Sequence, residues 1–262
     1  MKFSSLLPSL SALLPFAASG ALVAHYPLDT DASDASGNGY DGSVVGGSVN
    51  FGQAGANGNT GSSAAFPNNG HIDVPFNSAL NPASYTVTLW ANASSTSGFA
   101  SPITSRDDTP NSVHGFIVYN DNGGNWNNWT GGGGAAGSWD TLSGGPVSTD
   151  TWTHLALSYD AGTNTKSFYV DGSLAASKDA GALYSRNGTV QSEALHIGSG
   201  ADSGGAFFFS GNIDDVSIWN TALDEAAILN IKDNGVASAI PEPTSLGLLA
   251  LGCLALVRRR RS

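Results

Sequence analysis

Between Ala21 and Asn220 the apolar residues recur at every second position in short runs, and each run stops at a cluster of Gly, Asn, Asp or Ser. A period of two sends alternate side chains to opposite faces of a strand, so this stretch reads as strands with one core face each. The clearest runs are Ala21–Leu28, His71–Phe76, Tyr85–Asn92, Val113–Asn120, Trp152–Asp160, Lys166–Asp171, Ala194–Gly198 and Ile213–Trp219. In Tyr85–Asn92 the residues Tyr85, Val87, Leu89 and Ala91 share a face; in Trp152–Tyr159, Leu155, Leu157 and Tyr159 oppose Trp152, His154 and Ala156. Asp160–Asn164 predicts a hairpin loop and Asp171-Gly172 a tight turn. The one convincing helix is Asp224–Ile231, begun by Thr221 or Asp224 as a cap and closed near Asn234-Gly235. With 34 Gly in 262 residues and only 12% charged residues, little helix-forming material remains. Eight or more short strands around one core predict an all-β fold, a two-sheet antiparallel β-sandwich of jelly-roll type.

Both ends read as processing signals. Lys2, the apolar stretch Leu6–Ala18 and the small residues Ala17–Ala21 have the three parts of a secretory signal, with cleavage by signal peptidase after Gly20 or Ala21. At the other end Pro241-Glu242-Pro243 precedes the apolar run 246–257, and Arg258–Arg261 follow it. Twelve helical residues span roughly 18 Å against a hydrocarbon core of ~30 Å, so on length alone the run is a marginal span. The arginines mark its cytoplasmic end and leave the body outside. This arrangement of Pro-Glu-Pro, short terminal hydrophobic helix and Arg cluster resembles the PEP-CTERM sorting signal of Gram-negative bacteria. That resemblance implies export, membrane anchoring before processing, cutting by an exosortase, and a final place on the cell surface or in the extracellular matrix. The chain then divides into a signal peptide (1–21), a body (22–232), a linker (233–240) and a sorting segment (241–262).

Charge and cysteine content narrow the partners. Leu22–Ile240 holds five Lys and Arg against 20 Asp and Glu, a balance of −15, which repels phosphate backbones and argues against nucleic acid. The single cysteine, Cys253, lies in the terminal apolar run, so neither an intramolecular disulfide nor a Cys-based zinc site is available to the body.

Within the body, five segments occur in a telling order: Leu22–Asp29, Asp34–Gly42, Tyr85–Trp90, Trp152–Asp160 leading to Phe168–Gly172, and Gly211–Leu223. They resemble the laminin-G-like jelly roll of the concanavalin A-like lectin/glucanase superfamily. A fold hosts many functions, so the site needs its own argument. The loop Asp29–Gly42 packs four Asp and one Asn into a Gly-bearing segment, a concentration of oxygens that suits a hard cation, though not in EF-hand spacing. The resemblance implies a structural calcium between this loop and the last strand. Its ligands would be Asp29, Asp34, Asn38 and one of Asp214 and Asp215, with Asp215 preferred and Asp41 or the Tyr40 carbonyl in reserve. Adjacent acids on a strand point to opposite faces, so one of Asp214 and Asp215 serves the site.

The second candidate site is the Gly- and Asn-rich stretch Asn120–Ser143, which carries Trp126, Trp129 and Trp139 with amides such as Asn128. Pyranose rings stack on flat aromatic faces and their hydroxyls match amides, so the stretch suits an extracellular polysaccharide. Trp126 and Trp129 are three apart and face opposite sides if the stretch is a strand; Gly131–Gly134 reads as a flexible hinge. No enzyme is expected. Only three Glu are present, and Glu193 lacks the second carboxylate of a retaining glycosidase. The five histidines are scattered, His154 reads as a satisfied strand histidine, His71 and Asp73 form a pair too small for a mechanism, and Asp107-Asp108 beside Arg106 reads as solvated loop charge. Two functions follow: a lectin-like binding domain braced by calcium, or a structural, adhesive matrix protein with no specific glycan site.

Overall fold

A computed structural model of the chain describes residues 20–240 apart from 109–111, 136, 181–183 and 201–204. Fifteen strands run in the order β1 (Leu22–Tyr26), β2 (Ser43–Gly46), β3 (Asn50–Ala54), β4 (Ser62–Ala65), β5 (Gly70–Val74), β6 (Tyr85–Ala93), β7 (Ala100–Asp107), β8 (Ser112–Asn120), β9 (Asn125–Ala135), β10 (Asp140–Pro146), β11 (Trp152–Asp160), β12 (Thr165–Val170), β13 (Ser173–Asp179), β14 (Leu195–Ile197) and β15 (Gly211–Trp219). Sheet A has the order β13-β12-β11-β6-β15-β4-β3, with β1 also on β15; sheet B has the order β10-β9-β8-β7-β14-β5-β2. All these named pairings are antiparallel, and the two sheets form a sandwich with the jelly-roll fold.

The period-two reading places the core correctly. Val87, Leu89, Leu155 and Leu157 from sheet A meet Ile72, Ile103, Phe116 and Val118 from sheet B in one buried cluster. The turn after β12 has Asp171 and Gly172 both at positive φ, as a two-residue hairpin demands. Helix α1 (Glu225–Asn234) starts at Asp224, whose side chain accepts from the Ala227 N–H at 2.8 Å, and stops at Gly235. Its Ile228 and Ile231 pack with Ala156, Tyr169, Trp219 and Leu223 in a second apolar cluster on the outer face of sheet A.

Residues 233–240, expected as a linker, complete α1 and add the short 3-10 helix Val236–Ala239; Val236 joins the second cluster. The hinge expected at Gly131–Gly134 is instead part of β9, paired with β8. Gly131 is needed there because a Cβ would run into the Val113 carbonyl oxygen and His114 nitrogen. The signal peptide's residues 1–19 and the sorting segment, including Pro241, Glu242, Pro243 and the run 246–257, lie outside the described residues. Among the described residues no helix is long and apolar enough to cross a membrane.

The two sheets are clasped at one edge. Lys166 on β12 is fully buried and donates to the Thr130 hydroxyl at 3.1 Å and the Asp140 carbonyl oxygen at 2.6 Å; its Nζ also lies 3.1 Å from the Asp140 carboxylate, which pairs with Lys178. Burial outweighs the attraction of Asp140 and pushes Lys166 down to about 8.

Candidate functional site

β9 sorts the predicted sugar-binding residues by alternation. Trp126, Asn128 and Thr130 point into the sandwich, where Trp126 is 1% exposed and stacks on Phe209 with ring centroids 6.5 Å apart. Asn128 is buried too, opposite Val118 and Leu142. Trp126 and Asn128 are therefore core residues and not ligand-binding ones, because strand parity gives them the same side as Phe116 and Val118.

Trp129 takes the opposite face, and there the structure assembles a cleft in which Trp139 joins it. Phe99, Tyr119, Trp129, Trp139 and Phe207 line it with Arg106 and Asp108, around a volume of about 270 Å³. Trp129 meets Tyr119 edge-on at 5.2 Å and Phe99 at 5.6 Å between centroids. The Arg106 guanidinium sits 5.9 Å from the Trp139 ring centre and 6.0 Å from that of Phe207, a cation–π arrangement, and donates to the Tyr119 hydroxyl at 3.1 Å. Its Nη2 is 2.8 Å from Asp108. Phe207 is 43% exposed and holds a left-handed backbone, φ 51°, which aims it over the cleft. Tyr119 could have been found from the sequence, as an aromatic on the non-core face of a predicted strand; Phe99, Arg106 and Phe207 arrive from loops and a strand whose place only the tertiary fold fixes.

The acids expected to bind calcium divide into two groups. Asp34 serves the loop itself: it accepts from the His25 N–H, the Ser36 N–H and hydroxyl, and the Tyr40 N–H at 2.8–3.0 Å. Burial would raise its carboxyl, and these hydrogen bonds outweigh that and hold it below the usual carboxylate range. Asp41 accepts from the Asp34 N–H at 2.8 Å, and the Asn38 amide donates to the Val23 carbonyl at 2.8 Å. Asp215, with φ 50° at a bulge in β15, pairs with His25 at 2.5 Å. These four fasten the 29–42 loop and the last strand to β1.

Asp29 and Asp214 form the other group. Asp29 accepts from the Ser62 N–H at the start of β4, and Asp214 Oδ2 reaches the connection between β3 and β4, accepting from the Ala56 N–H and the Thr60 hydroxyl at 2.8 Å each. The second oxygen, Asp214 Oδ1, is buried and has no hydrogen-bond partner. Burial pushes the Asp214 carboxyl up to about 7, and the charges of Asp215 and Asp29 add to the shift. Asp214 Oδ1 is thus an orphaned carboxylate oxygen close enough to Asp29 to feel its charge, and the two acids would supply part of the six to eight oxygens that calcium takes.

Three further expectations need correction. Asp107 is fully buried, not solvated, and accepts from the Gln191 N–H at 2.7 Å. His154 is not satisfied: its Nδ1 is buried without a partner, and burial, with Lys232 adding, drives its pKa down to about 3. The histidines are not all scattered either, because β14 pairs with β5 and sets His196 directly across from Asp73, two residues from His71.

The family model for the concanavalin A-like lectin/glucanases superfamily matches residues 66–229, and the chain belongs to that superfamily. A second model, the PEP-CTERM protein-sorting motif, matches residues 239–261. No curated protein matches the chain. Among solved structures it is similar to domain 4 of AbnA, a GH43 extracellular arabinanase from Geobacillus stearothermophilus, in complex with arabinotriose. That match has 21% identity and a TM-score of 0.60, over 82% of this chain and 99% of that one. The botulinum neurotoxin serotype D binding domain matches with 17% identity and a TM-score of 0.57, over 81% of this chain and 51% of that one. The Ruminococcus gnavus IT-sialidase CBM40 bound to alpha2,3 sialyllactose matches with 15% identity and a TM-score of 0.51, over 59% and 85%. At these identities the likeness concerns the fold alone.

Proposed function

We propose that the protein is an exported, surface-displayed, non-catalytic carbohydrate-binding protein whose ligand lies in the cleft of Trp129, Trp139, Tyr119, Phe99 and Phe207. The observation that carries this reading is the composition of the cleft: five aromatic rings around one guanidinium on the outer face of sheet B. Aromatic faces take the C–H faces of sugar rings, and Arg106 with Asp108 supplies hydrogen bonds that orient hydroxyls. Asp108 is the one carboxylate among the described residues of the cleft and is held by Arg106, whereas glycoside hydrolysis calls for two carboxyl groups. Two of the similar structures are complexes with an oligosaccharide, which supports the same class of ligand.

A structural calcium belongs to this reading. Asp29 and Asp214 would hold it, and the ion would supply the charge that the buried Asp214 Oδ1 lacks. The sorting motif adds delivery: export through the signal peptide, transient retention at the inner membrane, and cutting by an exosortase near Pro241-Glu242-Pro243. The deciding experiment is a glycan array probed with the purified protein in calcium and in EDTA, alongside Trp129→Ala. Binding that Trp129→Ala abolishes supports the cleft; no glycan bound in either buffer would leave the matrix-protein function in its place.

A further inference from the structure

The structure assigns a second metal site, for a divalent transition-metal ion of the zinc type, to His71, Asp73 and His196 on the outer face of sheet B. His71 and Asp73 stand at alternate positions of β5 and so share a face, and the antiparallel register with β14 puts His196 against Asp73. One ligand atom from each residue lies within 4.8 Å of the others. His196 Nδ1 is 2.6 Å and His71 Nε2 is 3.3 Å from the same oxygen, Asp73 Oδ1. In a tetrahedral zinc site with bonds of 2.0–2.1 Å, neighbouring ligand atoms are about 3.3 Å apart, so small side-chain rotations suffice.

The contacts around the cluster hold the two rings as a metal site needs. His71 Nδ1 faces the Asn69 carbonyl oxygen at 3.2 Å, so it must carry the ring proton. Nε2, turned toward Asp73 Oδ1, is then the nitrogen placed to ligate an ion. That is the second-shell arrangement by which a backbone carbonyl orients a metal-binding histidine. His196 is 3% exposed, and if Nδ1 donates to Asp73 its Nε2 is left buried with no partner. Phe208 packs on His71 at 5.6 Å between ring centres and walls the cluster on one side. A cavity of about 440 Å³, lined by His71, Asp73 and Phe208 with Asn68, Asn69 and Gly205, leaves room for water or a ligand at an open coordination position. Two imidazoles and one carboxylate with an open position suit zinc, iron(II) or nickel, and not calcium, which takes six to eight oxygens. The site therefore does not compete with the Asp29–Asp214 pair.

The test is zinc titration of the full-length chain in detergent, carrying no histidine tag and saturated with calcium, followed by calorimetry. One Zn²⁺ per chain at micromolar or tighter affinity is expected, with at least a 10-fold loss in both His71→Gln and His196→Gln. Cobalt(II) loaded on the unaltered chain should give the visible absorption of a low-coordinate nitrogen and oxygen site, a readout that does not depend on how well the variants fold. Absence of zinc binding overturns the proposal. So does affinity unchanged in both folded variants, or a thiolate-to-cobalt band, which would place the ion on Cys253.

Discussion

Sheet A turns Ala156, Tyr169 and Trp219 outward and covers them with helix α1, Leu223 and Val236, whereas sheet B turns Arg106, Tyr119, Trp129 and His71 outward toward two cavities. Both faces are built from the same alternating strands. What differs is the partner: the one α-helix among the described residues is spent on sheet A, so its outer row becomes a second core. Sheet B keeps aromatic and metal-ligating side chains that no element covers completely. Apolar rings that a helix would otherwise bury line an open cleft, and the segment Phe207-Phe208-Phe209 ties the regions together. Its three rings go in turn to the cleft, to His71 and to the sandwich core.

The harshest way to break this contrast is to remove rings that fill the two cores. Trp126→Ala and Trp219→Ala each empty a fully buried position, and we expect a loss of about 3–5 kcal/mol in denaturant unfolding for either. A loss below about 1 kcal/mol at Trp126 would mean that β9 carries its rings the other way round. Next in size is calcium. If Asp29 and Asp214 hold it, EDTA lowers the unfolding temperature, and calcium at 100 times its Kd contributes about 2.7 kcal/mol. Asp214→Asn should abolish that difference, whereas Asp34→Asn, which weakens a hydrogen-bonded loop, should lower stability in both buffers.

The clasp between the sheets gives a smaller, pH-dependent effect. Lys166 sits below its ordinary value in the fold and regains it on unfolding, so the unfolded chain binds the extra proton between about pH 8 and 10. Stability should therefore rise with pH across that window, by roughly 2 kcal/mol up to about pH 9.5. Above about pH 10 the sign reverses, because burial holds Tyr26, Tyr85 and Tyr184 protonated in the fold above their ordinary range. Unfolding midpoints at pH 7.5, 8.5 and 9.5 check it, and Lys166→Met should flatten the rise.

How much of this was legible depends on where the signal resides. Strands such as Tyr85–Ala93 and Trp152–Asp160 announce themselves because β-branched and aromatic residues alternate with polar ones inside a single segment. β9 does not: its run NWNNWTGGGGA has poor intrinsic strand preference, and its ladder is made by β8 and β10 on either side. β2, β3 and β13, short or exposed along most of their length, gave no periodic signal either. The aromatic cleft was half visible, since Trp129 and Trp139 are in it, but Trp126 was offered with them because three-residue spacing leaves open which tryptophan faces out. The meeting of Asp73 with His196 joins positions 123 residues apart, and only the β5–β14 register brings them face to face.

Trp129→Ala is the mildest and the sharpest test of the comparison. Trp129 stands three residues from Trp126 on the same strand, so any general weakening of β9 should touch both positions alike. Its ring contacts are edge-on to Phe99 and Tyr119 at a half-buried surface, and removing it opens a cleft that water already enters, not a sealed cavity. We expect stability to change by less than about 1 kcal/mol while the affinity for a bound glycan falls at least tenfold, about 1.4 kcal/mol. Trp126→Ala should do the reverse, lowering stability by several kcal/mol with little change in affinity at a temperature where the variant stays folded. Unfolding and glycan-binding measurements on the two variants side by side decide it. Equal losses of affinity in both would place the binding energy in the rigidity of sheet B as a whole, and affinity lost only in Trp129→Ala would place it in the ring itself.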